Sequence, residues 1–228
     1  MEEEFVIPPE FREEVVQEEI DNNRKASTGT ATISGLSYSW APKKLTISGE
    51  SRAIRNEYES IRRTLMKSPT FAKFVVLIKQ SPSGRELDLG ALLEAIEESA
   101  PVKADVCFSL PMLFYGKVDD RTMDYPALER FLSGWGRRRL VSRNNSPGDI
   151  VVLEDKGRRN EPTHAYLQLT PALALEKRGS GAILIRPSTA VAEDYRWYMK
   201  HSADLKGNEN VYKERYRDPL LLRVYAPK

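Results

Sequence analysis

Four arginines, Arg137, Arg138, Arg139 and Arg143, fall within seven residues of the stretch GWGRRRLVSRNN, and KGRRN adds Lys156, Arg158 and Arg159. Between residues 130 and 159 there are eight bases against three acids. Guanidinium forks match the geometry of phosphate oxygens, and a run of them offers a salt-sensitive contact to a polyanion. Trp135, just before the run, adds a ring that can stack on a base or sit at a lipid headgroup. The same tryptophan also completes the apolar face of a helix through Leu128, Phe131 and Leu132, in which case the arginines follow the C-terminal end of its dipole. These residues define an expected nucleic-acid or anion-binding site.

Other chemistry is sparse. The chain holds two histidines, His164 and His201, and one cysteine, Cys107. There is no H-E-x-x-H, no paired-cysteine spacing and no G-x-S-x-G, so neither a metal ion nor another cofactor is expected. Cys107 lies in the apolar stretch ADVCFSL, which predicts a strand with a buried, inert thiol.

Two short segments resemble known families. In GDIVVLEDK (148–156), Asp149, Glu154 and Lys156 resemble the acids and lysine of the PD-(D/E)xK nucleases over nine residues. That resemblance implies an alternative metal site at Asp149 and Glu154 holding Mg²⁺. The stretch LTPALALEKRGSGAILIRPST, about twenty residues, is similar to part of the Src-homology domains that bind phosphotyrosine. It implies a short helix carrying Leu175, a glycine turn at Gly181, and a strand placing Arg186 as the phosphate ligand. Ser188 and Thr189 would be its hydroxyl partners, making an alternative phosphate site and a phosphopeptide-binding adaptor.

The elements that must position these groups follow from periodicity. Ile54, Tyr58, Ile61 and Leu65 predict a helix over 52–66, and Leu89, Leu92, Leu93 and Ile96 a second, opened by Asp88. Asp124 and Pro126 open a third helix. KKLTISG, FAKFVVLIK (71–79), ADVCFSL (104–110), IVVLE (150–154), AYLQL (165–169) and LLLRVY (220–225) read as strands, with ALALEK as a short helix. Helices and strands mix without regular βαβ alternation. The expected fold class is therefore α+β: one globular body of mixed, mainly antiparallel sheet with packed helices, residues 29–228.

Residues 1–28 read as an acidic arm and linker: residues 1–23 carry nine acids and one base. The chain's net charge of +2 thus divides into an acidic arm and a basic body. The acidic N-terminus is unlike a basic export leader, and one cysteine permits no internal disulfide, so an intracellular setting is expected: cytoplasm, nucleus or virion. Tyr195, Trp197, Tyr198, Tyr212, Tyr216 and Tyr225 interleave with Arg196, Lys200, Lys213, Arg215 and Arg217, a composition suited to an interface. Together these features point to a non-enzymatic binding and assembly protein of viral structural or matrix type. It would contact RNA, DNA or an anionic membrane surface through the arginine run. Homo-oligomers, or a protein partner, would form through the arm and the aromatic tail.

Overall fold

The computed structural model describes residues 28–99, 107–117, 125–134, 138–140 (as backbone), 145–156, 161–178, 182–204 and 220–227. No helix among them is long and apolar enough to cross a membrane. The predicted arm, save Thr28, lies outside the described residues, as do Tyr212, Tyr216, Lys213, Arg215 and Arg217.

The first sheet is a meander. Strands β1 (Gly29–Ile33), β2 (Leu36–Ala41) and β3 (Lys44–Ser48) pair antiparallel in chain order, and β5 (Glu86–Asp88) then β4 (Lys79–Gln80) complete it. Ser34 and Gly35 both take positive φ, the conformation that the tight β1–β2 hairpin needs. Strict alternation buries Leu36, Tyr38 and Trp40 on β2 and Leu45 and Ile47 on β3, and leaves Ser37 and Ser39 in solvent. Helix α1 (Ser51–Leu65) lays Ile54, Ile61 and Leu65 into the core. Helix α2 (Gly90–Ser99) adds Leu92, Leu93 and Ile96. The Asp88 carboxylate accepts the Gly90 amide at 2.8 Å, so the predicted opening of this helix is seen.

The second sheet has six antiparallel strands. β6 (Arg138–Leu140), β7 (Ile150–Asp155), β8 (Glu161–Gln168), β9 (Leu173–Lys177), β10 (Ile183–Pro187) and β11 (Leu220–Tyr225) lie in the order β10-β9-β8-β7-β11-β6. Helices α3 (Ser109–Phe114) and α4 (Tyr125–Ser133) precede it, and α5 (Ser188–Asp204) follows β10 directly. One face carries Ile150, Val152, Ala165, Leu167, Leu175, Ile183 and Ile185 into a core shared with the first sheet and α1 to α4. The opposite face, with Val151, Leu153, Tyr166, Ala174 and Val224, is covered by Val191, Ala192 and Met199 of α5. Because both faces are buried, these strands read in sequence as continuous apolar runs. The fold is a single mixed α+β body, as its lack of βαβ alternation predicts.

Three local expectations are corrected. Residues 71–79 form a 3₁₀ segment, Ala72–Leu77, before β4. Phe71, Val75 and Ile78 face the core while Val76 stands 84% exposed, a helical spacing that β-branched composition masked. The described part of 104–110 is a turn at Cys107 and Phe108 leading into α3. ALALEK is strand β9, its propensity overridden by pairing with β8 and β10 on either side.

A buried polar knot ties the two halves together. Glu57 of α1 accepts the Thr170 hydroxyl at 2.8 Å and the Tyr38 hydroxyl at 3.5 Å. Thr170 lies in the β8–β9 turn, where its Oγ1 also accepts the amides of Ala172 and Leu173. Burial raises the Glu57 pKa, only partly offset by the two hydroxyls. A carboxyl with a raised native pKa favours the native state while protonated, and that contribution is lost as pH rises through the folded pKa. Glu57→Gln keeps an acceptor for both hydroxyls without burying a charge. It is expected to raise the melting temperature at pH 7.5 by a few degrees, roughly 1 kcal/mol, with the gain disappearing near pH 4. Thermal melts of both proteins at the two pH values check this; a variant less stable at pH 7.5 refutes it.

Candidate active site under helix α5

The hairpin β8–β9 sets the geometry. Tyr166 pairs with Glu176 and Gln168 with Ala174, while β10 places Leu184 beside Glu176 and Arg186 beside Ala174. Side chains alternate across a strand, so His164, Glu176 and Arg186 share the face that α5 covers, each diagonal to the next. His164 Nε2 lies 2.7 Å from Glu176 Oε2, and Arg186 Nε donates to Glu176 Oε1 at 2.5 Å. Arg186 also donates through Nη1 to Asp194 of α5. His164, Glu176 and Arg186 are at most 1% exposed.

Cys107 completes the row. Its thiol packs 4.0 Å from the carbonyl of Thr163, the residue before His164. The β7–β8 register slips there: Leu153 pairs with His164 and Glu154 with Pro162, leaving Thr163 as the extra residue of a bulge. Nε2 is committed to Glu176 and Nδ1 has no hydrogen-bond partner, while the Cys107 thiol donates to the carbonyl of Thr163. The order is thiol, imidazole, carboxylate, guanidinium.

Electrostatics follow this order. Burial by itself draws the His164 pKa down, but hydrogen bonds to Cys107 and Glu176, with the charges of both, push it up to about 9. Burial opposes ionisation of Glu176 too, yet Arg186 and then His164 hold its pKa down to about 2. Glu176 is therefore an anion and the imidazole retains its proton at neutral pH. A thiol beside an imidazole that a carboxylate orients is the arrangement of nucleophilic catalysis.

The residues singled out from sequence sit elsewhere or in other roles. Arg186 was expected to bind phosphate. Instead it is internal, and its guanidinium is held by Glu176 and Asp194. The helix that the phosphotyrosine resemblance implied is β9, with Leu175 buried in the main core. Ser188 donates to the Ala172 carbonyl at 3.4 Å, and Thr189 is exposed on the first turn of α5. The nuclease resemblance also fails on geometry. Asp149 and Glu154 lie at opposite ends of β7, about 16 Å apart at strand rise, too far to ligate one ion. Asp149 accepts the Ser146 amide at 2.8 Å, and Glu154 pairs with Arg223 at 2.5 Å. Lys156 follows the end of β7. No cluster of three or more His, Cys, Asp or Glu side chains among the described residues is set to hold a metal ion.

Arg138 and Arg139 lie on β6, the outermost strand of the second sheet, paired with Tyr225 and Val224 of β11. Trp135, Arg137, Arg143, Arg158 and Arg159 lie outside the described residues. Sequence reasoning missed His164, Glu176 and Cys107 as a group; the missing signal was the strand character of ALALEK. No family model, no curated protein and no solved structure matches this chain.

Arg186→Ala would leave Glu176 buried beside an imidazolium without its principal counter-charge, and release Asp194. A loss of about 3–5 kcal/mol is expected in urea unfolding at pH 7. A loss below about 1 kcal/mol would show that the guanidinium is not what neutralises this face.

Proposed function

We propose that the chain is a thiol-dependent acyl-transferring enzyme, a hydrolase when water is the acceptor. Cys107 is its nucleophile, His164 its acid–base group, and Glu176 and Arg186 position the imidazole. The observation that supports this is the row His164, Glu176, Arg186 across three adjacent strands, with the Cys107 thiol held against the carbonyl of Thr163, next to His164. In the reactive form the thiol proton rests on His164. The thiolate attacks the carbonyl of an amide, ester or thioester, forming a carbon–sulfur bond. As the tetrahedral intermediate collapses, the bond to the leaving amine, alcohol or thiol breaks, and the His164 proton passes to that group. His164 then takes a proton from water, whose oxygen attacks the thioester carbonyl; the carbon–sulfur bond breaks, the acid departs and the proton passes from His164 back to the Cys107 sulfur. Glu176 keeps the tautomer and ring orientation through both halves.

One cysteine in the chain makes the test simple. Iodoacetamide alkylation of the native protein at pH 7, followed by intact mass, reports Cys107 alone. The wild type is expected to react at least tenfold faster than His164→Gln, with Glu176→Gln in between. Equal rates in wild type and His164→Gln overturn the proposal. So does a native thiol that reacts only in urea.

The arginine run carries a second proposal, supported by the placement of Arg138 and Arg139 on an edge strand. In it the body contacts RNA, DNA or another anionic surface there, which would bring polyanionic partners to the protein and support assembly. Affinity for a short single-stranded RNA and a DNA duplex is expected to fall as salt rises. The slope of log K against log salt should be shallower for an Arg137/Arg138/Arg139 triple-alanine variant. Absence of binding at low salt removes nucleic acid as the partner.

A further inference from the structure

Two consecutive residues of α5 reach the two halves of this row. Asp194 engages Arg186, and Tyr195 lays its ring on His164, with centroids 4.4 Å apart and planes inclined by 15°. Stacked this closely, the phenol blocks the imidazole from tilting off the Glu176 carboxylate. Tyr195 is itself braced edge-on by Tyr198, at 6.5 Å and 66°. Burial, then the charges of Glu176 and Cys107, raise its pKa well above 10, so the hydroxyl stays neutral. We propose that Tyr195 is a positioning residue for His164, and that α5 thereby acts as the clamp that keeps the imidazole aligned on the Glu176 carboxylate. This inference rests on the thiol-enzyme proposal.

The groups around the imidazole come from every element packed on it. Cys107 precedes α3; Tyr166 shares β8; Glu176 belongs to β9 and Arg178 follows it, Arg186 belongs to β10, and Asp194 and Tyr195 to α5. Among them Tyr195 contributes a flat face and no charge, so its removal tests alignment more than electrostatics. A ring that loses its stacking partner can rotate, lengthening its bond to Glu176. Its proton affinity then falls toward that of an ordinary imidazole, near 6.5.

The test uses two variants of the full chain. Tyr195→Phe keeps the ring; Tyr195→Leu keeps the volume approximately but removes the flat face. The chain has only two histidines, so the imidazole titrations in NMR resolve into His164 and His201, and His164→Gln assigns them. Tyr195→Phe is expected to match wild type in both His164 titration midpoint and iodoacetamide rate. Tyr195→Leu is expected to lower the midpoint by a unit or more and slow alkylation about tenfold, with the fold retained by circular dichroism. An unchanged midpoint and rate in Tyr195→Leu overturns the clamp. Loss of both in Tyr195→Phe overturns it as well, by assigning the role to the hydroxyl. The titration does not depend on turnover, so the clamp can fail while His164→Gln still slows alkylation. The reverse result, a shifted midpoint with no effect of His164→Gln, rejects the enzyme and leaves the clamp standing.

Discussion

The charge pair between Arg186 and Glu176 is the constraint on which the second sheet depends. Two ions taken wholly out of water cost several kcal/mol each unless their contact is close and their remaining lone pairs and protons are satisfied. Here Nε meets Oε1 at 2.5 Å, the second carboxylate oxygen meets His164, and Asp194 adds its own carboxylate to the guanidinium. Every member holds the next at a defined angle. A hydrophobic isostere could fill the same space under α5, so packing alone does not explain the charges. Their arrangement holds one buried imidazole by Nε2 and favours its charged form.

The neighbouring elements read as supports for that arrangement. The β8–β9 turn sets which residue opposes which. It is pinned by Thr170 accepting two turn amides and by Gln168 Nε2 donating to the Leu173 carbonyl at 3.2 Å. Glu57 reaches the same threonine from α1. A slip of one residue in this hairpin would send Glu176 to the opposite face, into the apolar core. The bulge at Thr163 brings its carbonyl to Cys107. Lys67 after α1 donates to the Pro147 carbonyl at 2.9 Å, and Tyr115 after α3 to Gly148 at 2.5 Å, so the entry to β7 is fastened from the same side. The first sheet and its helices thus brace the strand ends that carry the site.

Much of the architecture was legible because it rests on local patterns. β2 and β3 alternate, α1 and α2 repeat at three and four, and β11 is the predicted LLLRVY to the residue. The failures share one cause. LALEK pairs with strands on both sides, and Ala72–Leu77 packs as two 3₁₀ turns against α2. In each case tertiary context outweighed a propensity difference of a few tenths of a kcal/mol per residue. Reading ALALEK as a helix had a larger consequence than its length suggests. It broke the hairpin that sets Glu176 diagonal to His164, and with it the one line of evidence in the sequence for a paired histidine and carboxylate.

Arg186 shows why an arginine on a strand is ambiguous from sequence. The same residue on a strand serves an external anion or an internal one according to what lies on the adjacent strand and on the helix that follows. Here the adjacent strand offers Glu176 and the helix offers Asp194, so the guanidinium is spent inside the protein. That burial explains why His164, with no solvent contact, can still retain a proton: Arg186 with Glu176 and Asp194 leaves one net negative charge, which an imidazolium offsets.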